Sequence, residues 1–122
     1  MVDNAQMHKA YLATLNQDNQ LRLEVVREAS SLEVLSTAAP LAHELEAPAE
    51  LVHAVLDSHL CTPSLASRYG AHPDASVRAR LTTAQMLPGT LTMLTYDPDD
   101  NVRERARRAL EDQAARSPAR VS

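Results

Sequence analysis

The chain has 122 residues, of which 44% are hydrophobic, and its net charge is −4. That length suits one domain, and the single cysteine, Cys61, excludes an internal disulfide and a multi-cysteine metal site. The first residues carry no basic patch followed by an apolar segment, and no apolar run approaches the ~20 residues of a membrane span. We therefore expect a cytoplasmic protein without a signal peptide or a membrane helix.

Charged residues are distributed unevenly along the chain. Residues 1–61 contain three basic residues against nine carboxylates, and residues 62–122 contain nine arginines against seven carboxylates. One interpretation is an electrostatic dipole that steers a charged partner or favours head-to-tail contact in a homo-oligomer. The other is the mixed surface charge that keeps helices soluble.

The kinds of hydrophobic residue favour helices throughout. The sequence contains no Phe, Trp or Ile and three tyrosines, so Leu, Ala and Val have to form the core. There are two glycines, and no segment of useful length alternates polar and apolar residues as a strand would. The sequence predicts an all-α fold.

The first predicted element is an apolar stretch at residues 7–26. Its partial helical periodicity is compatible with a cap on the rest of the domain or with a dimer interface, and both interpretations are open. Residues 18–22 within it are a weak copy of a phrase that recurs further along the chain. The periodicity is carried by Tyr11, Leu12, Leu15, Leu21, Val25 and Val26.

The C-terminal half contains the same phrase twice. Residues 72–78 read His-Pro-Asp-Ala-Ser-Val-Arg, and residues 97–103 read Asp-Pro-Asp-Asp-Asn-Val-Arg, 25 positions later. A backward shift by the same 25 positions aligns Val52 with Val77, without the polar residues of the phrase. A repeat of this period predicts an array of small helical units.

Each copy has the features of a helix start. Proline suits the first turn, Asp97 is a candidate N-cap, and Asp99 and Asp100 place negative charge where the helix dipole favours it. Shorter apolar segments at 65–71 and 91–96 precede these helices and fit short α or 3₁₀ helices. Apolar residues at intervals of three and four predict a buried stripe in each unit: Val77, Leu81 and Ala84 in one, and Val102, Ala106, Ala109 and Leu110 in the next.

This pattern resembles the leucine-rich repeat variant family and, more broadly, the HEAT-like α-helical repeats. The resemblance covers residues 56–110, and it implies a short right-handed α-solenoid without catalytic residues. We expect one helical-repeat domain over residues 1–115, with the clearest repeats at 48–72, 73–97 and 98–115, and a flexible tail at 116–122.

Arginines cluster in the last two units. Stacking of the units would place Arg78 beside Arg103 and Arg80 beside Arg105, as a ladder able to hold phosphate or acidic side chains. The structural interpretation is that these arginines form ion pairs within a helix or bond to neighbouring turns. The remaining members of the cluster, with their candidate partners in the same helix, are Arg107 with Glu111 and Arg108 with Glu104.

Two tyrosines precede the repeated phrases at nearly equivalent positions, Tyr69 and Tyr96. As large amphipathic side chains they are candidate anchors for a partner. Alternatively, they fill the gap between stacked units and leave their hydroxyls at the rim.

Two other clusters contain residue types that are common in catalytic and metal sites. His53, Asp57 and Cys61 follow at intervals of four on one predicted helix face, and such residues can bind zinc or form a Cys–His pair. The sequence lacks the His-Glu-x-x-His and Cys-x-x-Cys spacings, and a free cysteine commonly behaves as a small buried hydrophobe. The aspartates around Pro98 lack the glycine and the downstream glutamate of an EF-hand loop, and helix capping explains them.

The sequence therefore predicts a non-enzymatic helical-repeat scaffold that binds a protein partner, without cofactor or metal. A nucleic-acid-binding module that uses the Arg78, Arg80, Arg103 and Arg105 ladder is the alternative. The net negative charge and the lack of interleaved aromatic residues count against that alternative. The predicted partner-binding residues are Arg78, Arg80, Arg103, Arg105, Arg107, Tyr69 and Tyr96.

Overall fold

The computed structural model describes residues 4–116, which contain eight α-helices, one 3₁₀ turn at Ser67–Tyr69 and no strand. The prediction of an all-α fold is confirmed. The predicted tail at 116–122 lies outside the described residues, except for Arg116, which is the C-cap of the last helix. In chain order the helices are α1 (Asn4–Leu15), α2 (Asn19–Glu28), α3 (Leu32–Ala38), α4 (Ala49–Asp57), α5 (Pro63–Ala66), α6 (Ala75–Arg80), α7 (Pro88–Leu94) and α8 (Asp100–Ala115).

Four of the helices form a row. α2 packs against α4, α4 against α6, and α6 against α8. The other helices flank this row: α1 packs on both α2 and α3, and α7 packs on α8. Because α4, α6 and α8 follow the predicted repeat boundaries, the row joins equivalent segments of the chain.

Aspartate caps start three of the four helices in the row. The carboxylate of Asp18 accepts a backbone N–H of the first turn of α2, and Asp74 and Asp99 do the same for α6 and α8. Such caps satisfy N–H groups that have no partner within the helix. The fourth helix, α4, follows Pro48 and has no side-chain cap.

Asp97 is not the N-cap that the sequence predicts for the last helix. α8 begins at Asp100, its N-cap is Asp99, and Pro98 lies before the cap rather than in the first turn. Asp97 instead accepts the backbone N–H of Asp99 at 2.9 Å. It therefore supports the cap from two residues upstream and keeps one carboxylate oxygen for another partner.

α6 is shorter than its predicted apolar stripe. It ends at Arg80, where the backbone N–H of Leu81 returns to carbonyls of the last turn. The Thr82 hydroxyl donates to the Ala79 carbonyl at 2.5 Å, which competes with continuation of the helix. Ala84, predicted on the stripe, thus lies beyond the helix.

The core consists mainly of small aliphatic side chains, as the sequence predicts. Val52, Val77 and Val102, which the repeat aligns, are each fully buried. Their shared environment agrees with successive copies of one packing unit. The other leucine and valine side chains that are fully buried are Leu35, Leu51, Leu81, Leu91, Leu94, Val34 and Val55.

Candidate partner-binding surface

The loops before successive row helices contact one another at equivalent positions. Ala47, His72 and Asp97 follow at intervals of 25 residues in the loops before α4, α6 and α8. The buried His72 imidazole donates from Nε2 to the Ala47 carbonyl at 2.9 Å, and its Nδ1 accepts the backbone N–H of Asp74. The His72 imidazole thus joins two consecutive loops.

Asp97 joins the next pair of units through an ion pair with Arg78. Its carboxylate accepts hydrogen bonds from Arg78 Nε at 2.8 Å and from Nη2 at 3.1 Å. Arg78 Nη1 donates to the carbonyls of His72 and Pro73. The side chains of Arg78 and Asp97 are 11% and 4% exposed, so the pair is largely removed from water. Bidentate geometry of this kind fixes the relative orientation of the two units.

The surroundings of Asp97 hold the pKa of its carboxyl below the ordinary value. Burial raises this pKa, but the hydrogen bonds from Arg78 and the Asp99 backbone, with the charges of Arg78 and Arg103, outweigh the burial. A carboxyl with a depressed pKa stabilises the folded state above its unfolded-state pKa of about 3.9. That contribution is lost as the pH falls through the folded-state pKa.

We therefore expect the stability difference between the native protein and Asp97→Asn to depend on pH. The difference in the free energy of unfolding should be constant between pH ~5 and ~7 and should shrink below pH ~4, because protonated Asp97 no longer attracts Arg78. Urea unfolding at a series of pH values measures it, and Asp57→Asn is the control for an exposed carboxyl. A difference that stayed unchanged down to pH ~2 would contradict this role of Asp97.

A second pair of this kind joins earlier elements, and the sequence interpretation missed it. Arg22 is 3% exposed and donates from Nη1 and Nη2 to the two carboxylate oxygens of Glu44, at 3.0 and 3.1 Å. Its Nε donates to the Ala38 carbonyl. The hydrogen bond from Arg22 lowers the pKa of the Glu44 carboxyl, although partial burial acts in the other direction. Arg22 follows its N-cap, Asp18, by four residues, as Arg78 follows its own cap, and that spacing is the signal in the sequence.

Arg78 and Arg103 meet at the same loop. Arg78 binds the Asp97 carboxylate, and Arg103 donates from Nη1 to the Asp97 backbone carbonyl at 2.7 Å. Nη2 of Arg103 forms an ion pair with Asp100. Asp97 thus connects the two arginines of the first predicted rung.

The two arginines of the second predicted rung have different environments. Arg80 donates to the Asp57 carboxylate at 2.6 Å and to His53 of α4. Arg105 is exposed, and it has no hydrogen bond or ion pair within residues 4–116. Arg105 is therefore the arginine of this pair whose guanidinium is available to a ligand.

Arg107 and Arg108 both pair with Glu104 in α8. The predicted pair between Glu104 and Arg108 is present at 3.2 Å, whereas Arg107 pairs with Glu104 and not with Glu111. The two arginine side chains are 66% and 76% exposed. Exposed pairs stabilise a helix little, so both guanidinium groups remain accessible to a partner.

Tyr69 and Tyr96 have opposite environments despite their similar sequence positions. Tyr69 is 3% exposed, and its hydroxyl donates to the Pro40 carbonyl at 2.8 Å. Burial raises the pKa of this hydroxyl. Tyr69 therefore packs between elements and does not lie on an accessible surface, whereas Tyr96 is 84% exposed and accessible as an anchor.

His53, Asp57 and Cys61 do not form one site. α4 ends at Asp57, so Cys61 lies in the following loop rather than on the predicted helix face, and the histidine and aspartate are both bonded to Arg80. Burial raises the pKa of the Cys61 thiol, which favours the protonated, weakly nucleophilic form. Among the described residues, no group of three His, Cys, Asp or Glu side chains is placed to hold a metal ion.

Two clefts follow the row of helices. The cleft between α2 and α4 has a volume of about 650 Å³, and the cleft between the end of α6 and α8 has a volume of about 690 Å³. Charged side chains of both signs line each cleft, including Arg27 and Glu50 in the first and Arg105 and Glu104 in the second. These clefts bring accessible charged groups together along the row.

Comparisons with protein-family models, with curated proteins and with solved structures gave no significant match. The repeat resemblance therefore stays a prediction from the residues themselves. Within residues 4–116, no helix is both long enough and apolar enough to cross a bilayer.

Proposed function

We propose that this protein is a non-enzymatic scaffold that binds a protein partner through a short right-handed α-solenoid of HEAT-like units. The observation that carries the proposal is the row of α2, α4, α6 and α8, in which each helix packs on the next. Stacked helices of this kind present an extended surface to a partner. The likeness of the repeated phrase to the leucine-rich repeat variant units supports the same function.

The buried ion pairs support a preformed binding surface. Arg22 with Glu44 and Arg78 with Asp97 each connect segments that are far apart in the chain. Both pairs are bidentate, so they restrain orientation as well as distance. A surface that is ordered before binding loses less conformational entropy when a partner docks.

The two clefts offer the contacts for such a partner. Their mixed charges suit a protein surface with alternating acidic and basic groups, because complementary charges set the register of a complex. Polyanionic nucleic acid is a poorer fit, since Arg78 and Arg80 of the predicted ladder already bind carboxylates. A protein partner is therefore the function that the accessible side chains support best.

Affinity capture from the native lysate tests this function. The immobilised protein should retain a protein partner, and reversal of one charge in the α6–α8 cleft, Arg105→Glu, should weaken that retention about tenfold or more. Lys9→Glu is the matched control, because it reverses an exposed charge on α1 away from both clefts. Equal retention by native protein and Arg105→Glu would remove the cleft from the interface, and loss of capture after nuclease treatment would favour the nucleic-acid alternative.

A further inference from the structure

The arginine that follows each aspartate cap has one recurrent task in this fold. Arg22, Arg78 and Arg103 each lie four residues after the N-cap of α2, α6 or α8. The backbone N–H of each donates to the carbonyl of its capping residue, so the three side chains leave their helices at the same place. Each guanidinium also donates to a backbone carbonyl outside its own helix: Arg22 to Ala38, the last residue of α3, Arg78 to His72, and Arg103 to Asp97.

In the first two of these helices, the rest of the guanidinium holds a carboxylate from further along the chain. Arg22 forms an ion pair with Glu44, which lies 22 residues later, and Arg78 forms one with Asp97, which lies 19 residues later. Both contacts are bidentate, and the two arginine side chains are 3% and 11% exposed. The carboxylate comes in each case from the loop that precedes the next helix of the row.

Arg103 donates to a backbone carbonyl in the same way as Arg78, but no carboxylate from further along the chain binds it within residues 4–116. Its Nη1 donates to the Asp97 carbonyl at 2.7 Å, as Arg78 Nη1 donates to the equivalent His72 carbonyl at 2.7 Å. Its Nε, which in Arg78 binds Asp97, has no hydrogen bond within residues 4–116. The side chain is 40% exposed. Within these residues no further row helix follows α8, so no loop covers Arg103.

The carboxylate that now contacts Arg103 is a weak substitute. Asp100 comes from the same helix, three residues before Arg103, and it is 91% exposed. Exposed pairs of this type contribute little and exchange readily with other partners. Arg103 also lines a cleft of about 480 Å³, together with Thr95, Glu104 and Arg107. The position thus combines an anchored guanidinium, a free donor and space beside it.

We propose that Arg103 binds a carboxylate on an acidic loop of the partner protein. The loop docks against α8, the last helix of the row, as the loop before α8 docks on Arg78. This inference rests on the proposed scaffold function and names the chemistry of its partner. A carboxylate fits better than a phosphate backbone because the two earlier positions hold carboxylates. Asp100 and Glu104, which line the cleft, also repel a polyanion more strongly than a single carboxylate.

A peptide from the loop before α8 can serve as the probe for this site. A fluorescent peptide with the sequence of residues 92–101 carries Asp97 in its natural context, and the matched control peptide carries Asp97→Asn. Fluorescence anisotropy with the full chain should show saturable binding of the first peptide and about tenfold weaker binding of the second, because a bidentate charged contact is lost.

Protein variants locate the contact. Arg103→Ala should weaken peptide binding about tenfold or more, and Arg103→Lys should weaken it severalfold, because lysine keeps the charge but not the bidentate fork. Asp100→Asn should strengthen binding severalfold, because it removes the internal competitor. Arg116→Ala is the control, since that arginine is 62% exposed at the C-terminal end of the same helix and is not among the partner-binding residues. Circular dichroism verifies that each variant remains folded.

Several outcomes would overturn this site. These are the absence of saturable binding to the native chain, equal binding of the two peptides, and equal binding by native protein and Arg103→Ala. Displacement of the peptide by an oligonucleotide at equal concentration would replace the carboxylate by phosphate as the ligand. If Arg103→Ala still captured the cellular partner and Arg105→Glu did not, the site would be wrong while the scaffold function would stand.

Discussion

Replacing Asp97 by alanine is expected to lower the free energy of unfolding by about 3 kcal/mol, because the change leaves the Arg78 guanidinium buried without its counter-charge. The backbone N–H of Asp99 loses its acceptor as well, so the cap of α8 weakens. Urea unfolding followed by far-ultraviolet circular dichroism measures the change. A domain of this size has about 5–15 kcal/mol of stability, so a folded baseline should remain.

The pair between Arg80 and Asp57 provides the matched comparison. It is also an arginine–carboxylate pair that joins two units, but its side chains are 36% and 67% exposed. Asp57→Ala should therefore cost less than about 1 kcal/mol, since water replaces the lost carboxylate. Equal losses in Asp97→Ala and Asp57→Ala would contradict the conclusion that burial makes the Arg78 pair important.

Replacing Tyr69 by alanine is expected to cost about 3–5 kcal/mol, because it removes a buried ring and leaves a cavity. The side chain is 3% exposed and bridges to the Pro40 carbonyl, 29 residues earlier. Tyr69→Phe isolates the hydroxyl and should cost about 1 kcal/mol. Thermal and urea unfolding of the two variants separate the ring from its hydrogen bond.

Tyr96→Ala is the control for this series because Tyr96 is 84% exposed. Its stability should change by less than about 0.5 kcal/mol. The two tyrosines precede the repeated phrases at similar positions, so the comparison holds residue type and sequence context nearly constant. A large loss in Tyr96→Ala, or none in Tyr69→Ala, would show that the burial of these residues is described wrongly.

The helical class and the equivalence of the buried valines could be predicted because they depend on local information. Apolar spacing and low β-branched content indicate helices, and the repeated phrase aligns Val77 with Val102, which are both fully buried. The sequence predicts that an aspartate caps the last helix, but the residue that caps α8 is Asp99 and not Asp97. These two candidates have the same side chain and lie two residues apart, so they differ mainly in their tertiary partners, which the sequence does not display.

The ion pairs of Arg22 and Arg78 could not be predicted because their partners are distant in the chain. Nothing near Arg22 points to Glu44, which lies in an irregular loop 22 residues later. The different partners of the ladder arginines could not be predicted for a similar reason: Arg80 bonds to the preceding unit, while Arg105 has no polar partner within residues 4–116. A long, flexible arginine side chain can pair with any of several carboxylates, and burial determines which of these pairs is stable.

The most direct measurement is made on a chain that lacks residues 73–97. This deletion removes 25 residues, which is the interval that separates Ala47 from His72. It joins His72 to Pro98 and so restores a His-Pro-Asp phrase, with Arg103 in the place of Arg78. If each unit packs only on its neighbours, α8 can take the position of α6.

The control deletes residues 73–85, which removes less of the chain but breaks the repeat. We predict that circular dichroism will show unchanged helicity per residue and cooperative unfolding for the in-register deletion, and an unfolded chain for the control. An unfolded in-register deletion beside a folded control would contradict the repeat.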